Sequence, residues 1–327
     1  MNVQRFLAAI VLTALVGLGA HAQEKTYSIM LIAFRGVTAA ETGFMDYLKS
    51  RMKVNFIVRD ANGARAGIKD FVSEARQSRV DLVYSFGTTV TLETVGAMGK
   101  VDPAAHLVDI PVVFNIVADP VGAGLAQAFA ATGRNLTGVS HLVPMADQLR
   151  AMQRFRKVQK LGVIFNSFEA NSLLAVQQLR QQAAEFKYEL VEAPLRSGQI
   201  PDAREIDEVM RGLLAAKPDF VYLPSDSSLI ERAATIVRLA NEARTPVLSA
   251  TEDPIRKDGA LFGLVSNYAN AGAFAGYKAE QILLGREAVG NIPIETLRRF
   301  TLLIDMKSAA RLGVYPPLDL IKIGELL

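Results

Sequence analysis

The chain has 327 residues, half of them hydrophobic, with a formal net charge of +3, three histidines and no cysteine. The absence of cysteine excludes disulfides, a thiol nucleophile and a lipidated leader. The small charge, with basic residues scattered along the chain, argues against a nucleic-acid partner. The nearest thing to a basic patch, Arg150, Arg154, Arg156, Lys157 and Lys160, has the spacing of a solvated helix face.

Residues 1–22 read as a secretory signal. Arg5 supplies the positive start, Phe6 to Ala20 the apolar stretch, and Ala20-His21-Ala22 a small-x-small cleavage site before Gln23. The apolar run is shorter than the roughly 20 residues of a spanning helix. The expected address is the periplasm, and the remaining length suits two domains of ordinary size.

Tyr27 to Phe34 reads as a strand, and Thr38-Ala39-Ala40-Glu41 as a capping box opening a helix through about Met52. Val54 to Val58 follows as a strand. Ile68, Phe71, Val72 and Ala75 form one apolar helix face. Val80 to Phe86 is a third strand, followed by a helix carrying Val90, Leu92, Val95 and Met98. Pro111 to Val117 is a fourth strand. Strands alternating with helices in this way imply a parallel sheet flanked by helices.

The alternation restarts after Ser140. Leu149, Met152 and Phe155 mark a helix, Leu161 to Phe165 a strand, and Leu173 to Phe186 a second helix. Tyr188 to Leu195, Phe220 to Leu223 and Val247 to Ala250 are further strands. A helix with Ile230, Ala233, Val237 and Ala240 opens on the capping pattern Ser228-Leu229-Ile230-Glu231. The tail adds a strand over Leu261 to Ser266, a helix over Ala271 to Leu284 and a strand over Arg299 to Ile304. The expectation is an α/β chain of two lobes. Residues 23–140 with 260–290 form the first, and residues 141–259 with 291–327 the second. The strand at 261–266 returns to the first lobe, and three crossings make a hinge.

Catalytic chemistry is poorly supplied. After the leader only His106 and His141 remain, and there is no G-x-S-x-G, H-E-x-x-H or Walker A pattern. No enzyme, cofactor or metal is expected. His106 reads as a solvated loop residue and His141 as a loop histidine near the hinge. Gly122-Ala123-Gly124 followed by Gln127 lacks the third glycine of a dinucleotide fingerprint.

Small-molecule recognition is better supplied, because ligands of open α/β sheets bind at the carboxyl ends of the strands. Thr88, Thr89, Asn171 and Ser172 fall at predicted helix N-termini, where free N–H groups attract an anion. Ordinary N-capping is the competing explanation. Phe34, Phe168 and Tyr268 lie at or beyond strand ends and offer aromatic faces, whereas Phe86, Phe165 and Tyr222 read as core. Glu169, Asp226 and Asp253 lie in second-lobe loops, any of them able to pair with a ligand ammonium.

The strand-end motifs occur in a fixed order. They are Gly87-Thr88-Thr89, Asp119 to Leu125, Asn135 to Ser140, Asn166 to Ser172, and Pro224-Ser225-Asp226-Ser227-Ser228. Ile282 to Gly285 and Ala309 to Pro316 follow in the tail. In this order the chain resembles the solute-binding proteins of ABC transporters, in the family with tryptophan- and tyrosine-binding members. The resemblance implies a type I periplasmic-binding fold: two α/β lobes, each a parallel sheet flanked by helices, with a three-strand hinge and a ligand in the cleft. It implies ligand contacts from Gly87, Thr88 and Thr89, from Asn171 and Ser172, and from Ser225, Asp226 and Ser227, with Asp226 meeting the ammonium of an amino acid-like ligand. Phe34, Arg35, Asp119, Phe168, Glu169 and Tyr268 complete the expected set. Two departures stand out: the first helix lacks the family's terminating glycine before Val54, and Arg35-Gly36-Val37 follows the first strand. Arg35 favours an organic acid without an amine as the competing ligand.

The implied role is a monomeric periplasmic receptor delivering a small carboxylate-bearing, aromatic or apolar, amino acid-like molecule to an inner-membrane ABC permease. A receptor for a membrane sensor, or an enzyme on the same scaffold, are the alternatives.

Overall fold

The computed structural model describes residues 25–198 and 200–327, so the expected signal segment lies outside the described residues. The first half builds five strands, β1 (Tyr27–Ala33), β2 (Val54–Asp60), β3 (Leu82–Phe86), β4 (Val112–Val117) and β5 (Leu136–Ser140), with α1 (Ala39–Lys49), α2 (Ile68–Gln77) and α3 (Gly87–Val95) between them. β3, β4 and β5 are buried along their whole length, as continuous apolar strands of a sheet covered on both faces are. The Thr38 hydroxyl and the Glu41 side chain form the expected capping box of α1. The helix after β3 stops at Val95, short of Met98, because Gly96 turns the chain with φ +67°.

The second half carries α4 (Met145–Phe155), β6 (Lys160–Asn166), α5 (Ala170–Phe186), β7 (Glu189–Leu195), α6 (Ala203–Ala215), β8 (Phe220–Leu223), α7 (Ser227–Ile230), α8 (Ala233–Glu242), β9 (Val247–Ser249) and α9 (Glu252–Arg256). The helix expected from Ser228 is in fact two. Asp226, not Ser228, is the N-cap, accepting from the Leu229 amide at 3.1 Å. The tail contributes β10 (Phe262–Val265), α10 (Tyr268–Leu283), β11 (Glu295–Thr296), β12 (Thr301–Ile304), α11 (Met306–Leu312), α12 (Leu318–Ile323) and β13 (Glu325–Leu326).

One sheet has the order β11-β5-β4-β3-β1-β2 and the other β13-β12-β10-β9-β8-β6-β7. The first sheet is parallel throughout, and in the second only the β10–β12 pair is antiparallel. Two of the tail strands sit in the sheet opposite to the one expected. β10 stays in the second sheet between β9 and β12, where the Phe262 ring stacks on Phe155 at 4.1 Å and meets Phe220 edge-on at 5.9 Å. β11 joins the first sheet beside β5. The three crossings therefore fall after Ser140, after Val265, and between Thr296 and Thr301.

What returns to the first lobe is α10, which packs along α1. Glycines make that approach possible. A Cβ on Gly272 would lie 2.0 Å from the Ala40 carbonyl oxygen, and one on Gly43 would lie 2.2 Å from that of Ala269. The buried Lys278 ammonium then donates to the Pro293 carbonyl and the Glu295 carboxylate, each at 2.7 Å, fastening β11 to the same lobe. No helix among the described residues is long and apolar enough to cross a membrane.

Candidate ligand cleft

The carboxyl ends of β1, β3 and β4 in one lobe face those of β6 and β8 in the other across a small cavity lined from both sides, the place where ligands of open α/β sheets bind. From the first lobe come Phe34 and Arg35 after β1, Phe86, Gly87, Thr88 and Thr89 at the β3–α3 junction, and Ile116 in β4. From the second come Glu169 and Asn171 at the start of α5, then Ser225, Ser227 and Ile230 around α7. Tyr268 enters from the second crossing.

Gly87 has φ +76°, which lets β3 run straight into α3. Thr88 and Thr89 occupy the first turn of α3, whose N-cap is Phe86 with no side-chain cap. They are therefore not capping residues. The Thr88 hydroxyl is buried and has no hydrogen-bond partner. Thr89 Oγ1 donates to Glu169 Oε2 at 2.9 Å, from one lobe to the other. This bond sets the N-termini of α3 and α5 against each other, and Glu169 makes no capping bond with its own helix.

Glu169 is 4% exposed. Burial, reinforced by the neighbouring Asp226 carboxylate, pushes its pKa up to about 8, opposed by the Thr89 hydrogen bond and the charge of Arg65. Arg35 lies with its guanidinium 5.7 Å from the Phe86 ring centroid. Its Nε is buried without a hydrogen-bond partner. It has no ion-pair partner among the described residues. The site thus offers unengaged donors at one place and a buried carboxylate at another.

Of the expected residues, Phe34, Arg35, Gly87, Thr88, Thr89, Glu169, Asn171, Ser225, Ser227 and Tyr268 line this cavity. Four do not. Asp226 is fully buried behind the wall: it accepts from the Ser172 hydroxyl, from the Ser228 hydroxyl at 2.6 Å and from the Leu229 amide. Its carboxylate is thereby held as the cap of α7, away from the ammonium role expected of it, and burial raises its pKa. Ser172 is fully buried with it. Phe168 points outward, 47% exposed. Asp119 folds back on its own loop, accepting from the Val121 and Gly122 amides at 3.1 and 2.8 Å.

Phe86, Ile116 and Ile230 line the cavity as well, the last two without any signal in residue type or spacing. Ile116 adopts φ +58°, a conformation rare for a β-branched residue. It sits where the β4–β5 register shifts between Asn115 and Val117, and its amide donates to Asn115 Oδ1 at 3.0 Å. Such a bulge re-aims a side chain at a strand end.

His141 is buried at the first crossing rather than in the cavity. Its Nε2 and Ser225 Oγ are 2.8 Å apart, its carbonyl accepts from Ser266 Oγ at 2.5 Å, and the Tyr268 ring meets it edge-on at 5.6 Å. Burial pushes its pKa down to about 3. His106 is half-buried, not solvated: its Nδ1 accepts from the Asp102 amide at 2.9 Å. Among the described residues no group of three His, Asp or Glu side chains is placed to hold a metal ion.

Residues 29–324 match the family described as ABC transporter substrate binding protein. The chain is 26% identical over 283 residues to the tyrosine-binding protein of Clostridioides difficile (strain R20291), covering 84% of this chain and 76% of the relative. Two solved structures share its fold. A conserved domain protein from Vibrio cholerae superposes with a TM-score of 0.82 at 24% identity, over 92% of this chain and 99% of its own. An ABC domain from Streptococcus pneumonia in complex with L-Trp superposes with a TM-score of 0.79 at 21% identity, over 91% and 99%.

Proposed function

This chain belongs to the family of ABC transporter substrate-binding proteins, and on that premise we propose that it is the periplasmic receptor of an importer for an aromatic or apolar amino acid. The observation that carries the proposal is the opposition of Glu169 to the α3 N-terminus. The buried Glu169 carboxylate suits an ammonium, and the unpartnered Thr88 hydroxyl with the free amides of the first turn suits a carboxylate. A zwitterion carries both groups on one carbon. Phe34, Phe86, Ile116 and Tyr268 supply apolar and aromatic surface for its side chain. The tyrosine-binding relative and the L-Trp complex support the same ligand class.

The protein binds and releases its ligand unchanged. Ligand touching both lobes stabilises the closed arrangement, and a permease in the inner membrane reads that form. The receptor acts as a monomer. Arg35 supports a second reading, an aromatic acid without an amine, because its buried Nε has no hydrogen-bond partner and its guanidinium no ion-pair partner among the described residues.

A thermal-shift and calorimetric screen of the protein from Gln23 onward, refolded to strip carried-over ligand, separates the readings. Free ligand at one hundred times its Kd adds about 2.7 kcal/mol of stability. L-tyrosine, L-tryptophan or L-phenylalanine should shift the melting temperature, with 3-phenylpropionate far weaker. Equal binding of phenylalanine and 3-phenylpropionate would remove Glu169 from its role and favour the acid. No binding by either would overturn the proposal.

A further inference from the structure

A second, small cavity lies beside the first, and Arg35 and Tyr268 line both spaces. It too is built from both lobes: Thr38 and Ala39 at the start of α1, and Thr251, Glu252 and Asp253 after β9. Its polar groups divide into two sets. Glu252 is engaged by Arg256 at 3.0 Å and accepts from the Tyr268 amide at 3.1 Å. Asp253 pairs with Lys257 at 3.2 Å, and the Thr38 hydroxyl donates to Glu41 at 2.6 Å. Thr251 Oγ1 and Arg35 Nε are buried and have no hydrogen-bond partner. Thr251 is 2% exposed, and although it precedes α9 its side chain makes no capping bond.

A buried polar group without a partner is costly, and proteins retain few of them. Here two such donors border one space next to the proposed ligand cavity, with Arg35 and Tyr268 lining both. We propose that this space is a distal subsite, taking the far end of an elongated amino acid whose side chain ends in an oxygen acceptor. The acceptor is a carbonyl or hydroxyl oxygen, which the neutral Thr251 hydroxyl and the Arg35 Nε–H can both meet. The subsite would make the receptor select for side-chain length and a polar tip. The inference rests on the reading of the first cavity as the site of the amino acid's α-carboxylate and ammonium.

The test compares L-phenylalanine, which has no acceptor at its tip, with 4-acetyl-L-phenylalanine, which carries a carbonyl there, by calorimetry on the full mature protein. A second, independent variant fills the subsite from its exposed rim: Ala39→Leu, at the first position of α1. The acetyl analogue should bind the wild type about tenfold tighter than phenylalanine, as one newly satisfied buried donor allows. Thr251→Val keeps the side-chain shape, removes the hydroxyl, and should bring the two ligands to within about twofold of each other. Ala39→Leu should weaken the analogue selectively and leave phenylalanine binding as in the wild type. Phenylalanine binding with no advantage for the analogue, or an advantage that survives both variants, overturns the subsite and leaves the amino-acid reading standing. Failure of both ligands to bind the wild type overturns both.

Discussion

Thr89 Oγ1 donates a hydrogen bond to Glu169 Oε2 at 2.9 Å, joining the first turn of a helix in one lobe to the cap of a helix in the other. The bond crosses the cleft, so the protein's own side chains contribute to closure. A ligand that placed its ammonium against Glu169 would add a charged partner to this carboxylate beside Thr89.

Thr89→Val should loosen the closed arrangement. A hydrogen bond of this kind contributes about 1 kcal/mol, roughly fivefold in an equilibrium. The expected results are a larger radius of gyration in solution scattering without ligand and an amino-acid affinity about fivefold weaker. An unchanged radius together with unchanged affinity would show that the bond does not bias closure.

Glu169 makes stability depend on pH. Its pKa is about 8 in the folded protein and about 4.3 in an unfolded chain. Between those values the folded state holds the extra proton. This contribution to stability is present in full below pH ~4.3 and is lost as pH rises through about 8. Glu169→Gln should remove it, so that the variant gains on the wild type as pH rises from 5 to 8 in urea titrations. For an amino-acid ligand the same group must ionise, so wild-type affinity should rise from pH 6 to 8 with proton release, seen by calorimetry in buffers of different ionisation enthalpy. The variant should lose at least tenfold in amino-acid affinity, as expected when a buried ammonium loses its charged partner, and should lose the proton release.

His141 acts in the opposite direction. Its pKa falls from 6.5 to about 3 on burial, so the unfolded chain takes up a proton that the folded one refuses. Stability from this group is present above pH 6.5 and is lost as pH falls toward 3. His141→Gln should flatten the acid limb of the stability curve between pH 6.5 and 4. A limb as steep in the variant as in the wild type would assign acid unfolding to other groups.

Gly272→Ala should destabilise the first lobe. The new Cβ would lie 2.0 Å from the Ala40 carbonyl oxygen and 2.8 Å from the Phe44 amide nitrogen, both backbone atoms. Separating two packed helices to admit it costs about 3 kcal/mol or more, measurable as a lowered urea midpoint. The same change at Gly285, which faces open space but has φ +65°, should cost only the strain of a left-handed alanine, about 1 kcal/mol.

The sequence by itself determined the alternation of strands and helices, the capping box at Thr38 and Glu41, and most of the strand-end loops that line the cleft. All of these depend on residues near one another in the chain, through side-chain period, a hydroxyl within reach of an amide, or a glycine at a turn. Only the tertiary structure decided that β10 stays with the second sheet, because the partners of Phe262 are Phe155 and Phe220, distant in sequence. It also decided between the two carboxylates. Asp226 and Glu169 look alike as loop acids, yet Asp226 turns inward because Ser172, Ser228 and the Leu229 amide converge on it. Glu169 turns to the cleft because Thr89, 80 residues earlier, waits there. The positive φ of Ile116 left no trace in its residue type, since the mismatch between β4 and β5 that imposes it exists only once the two strands have paired.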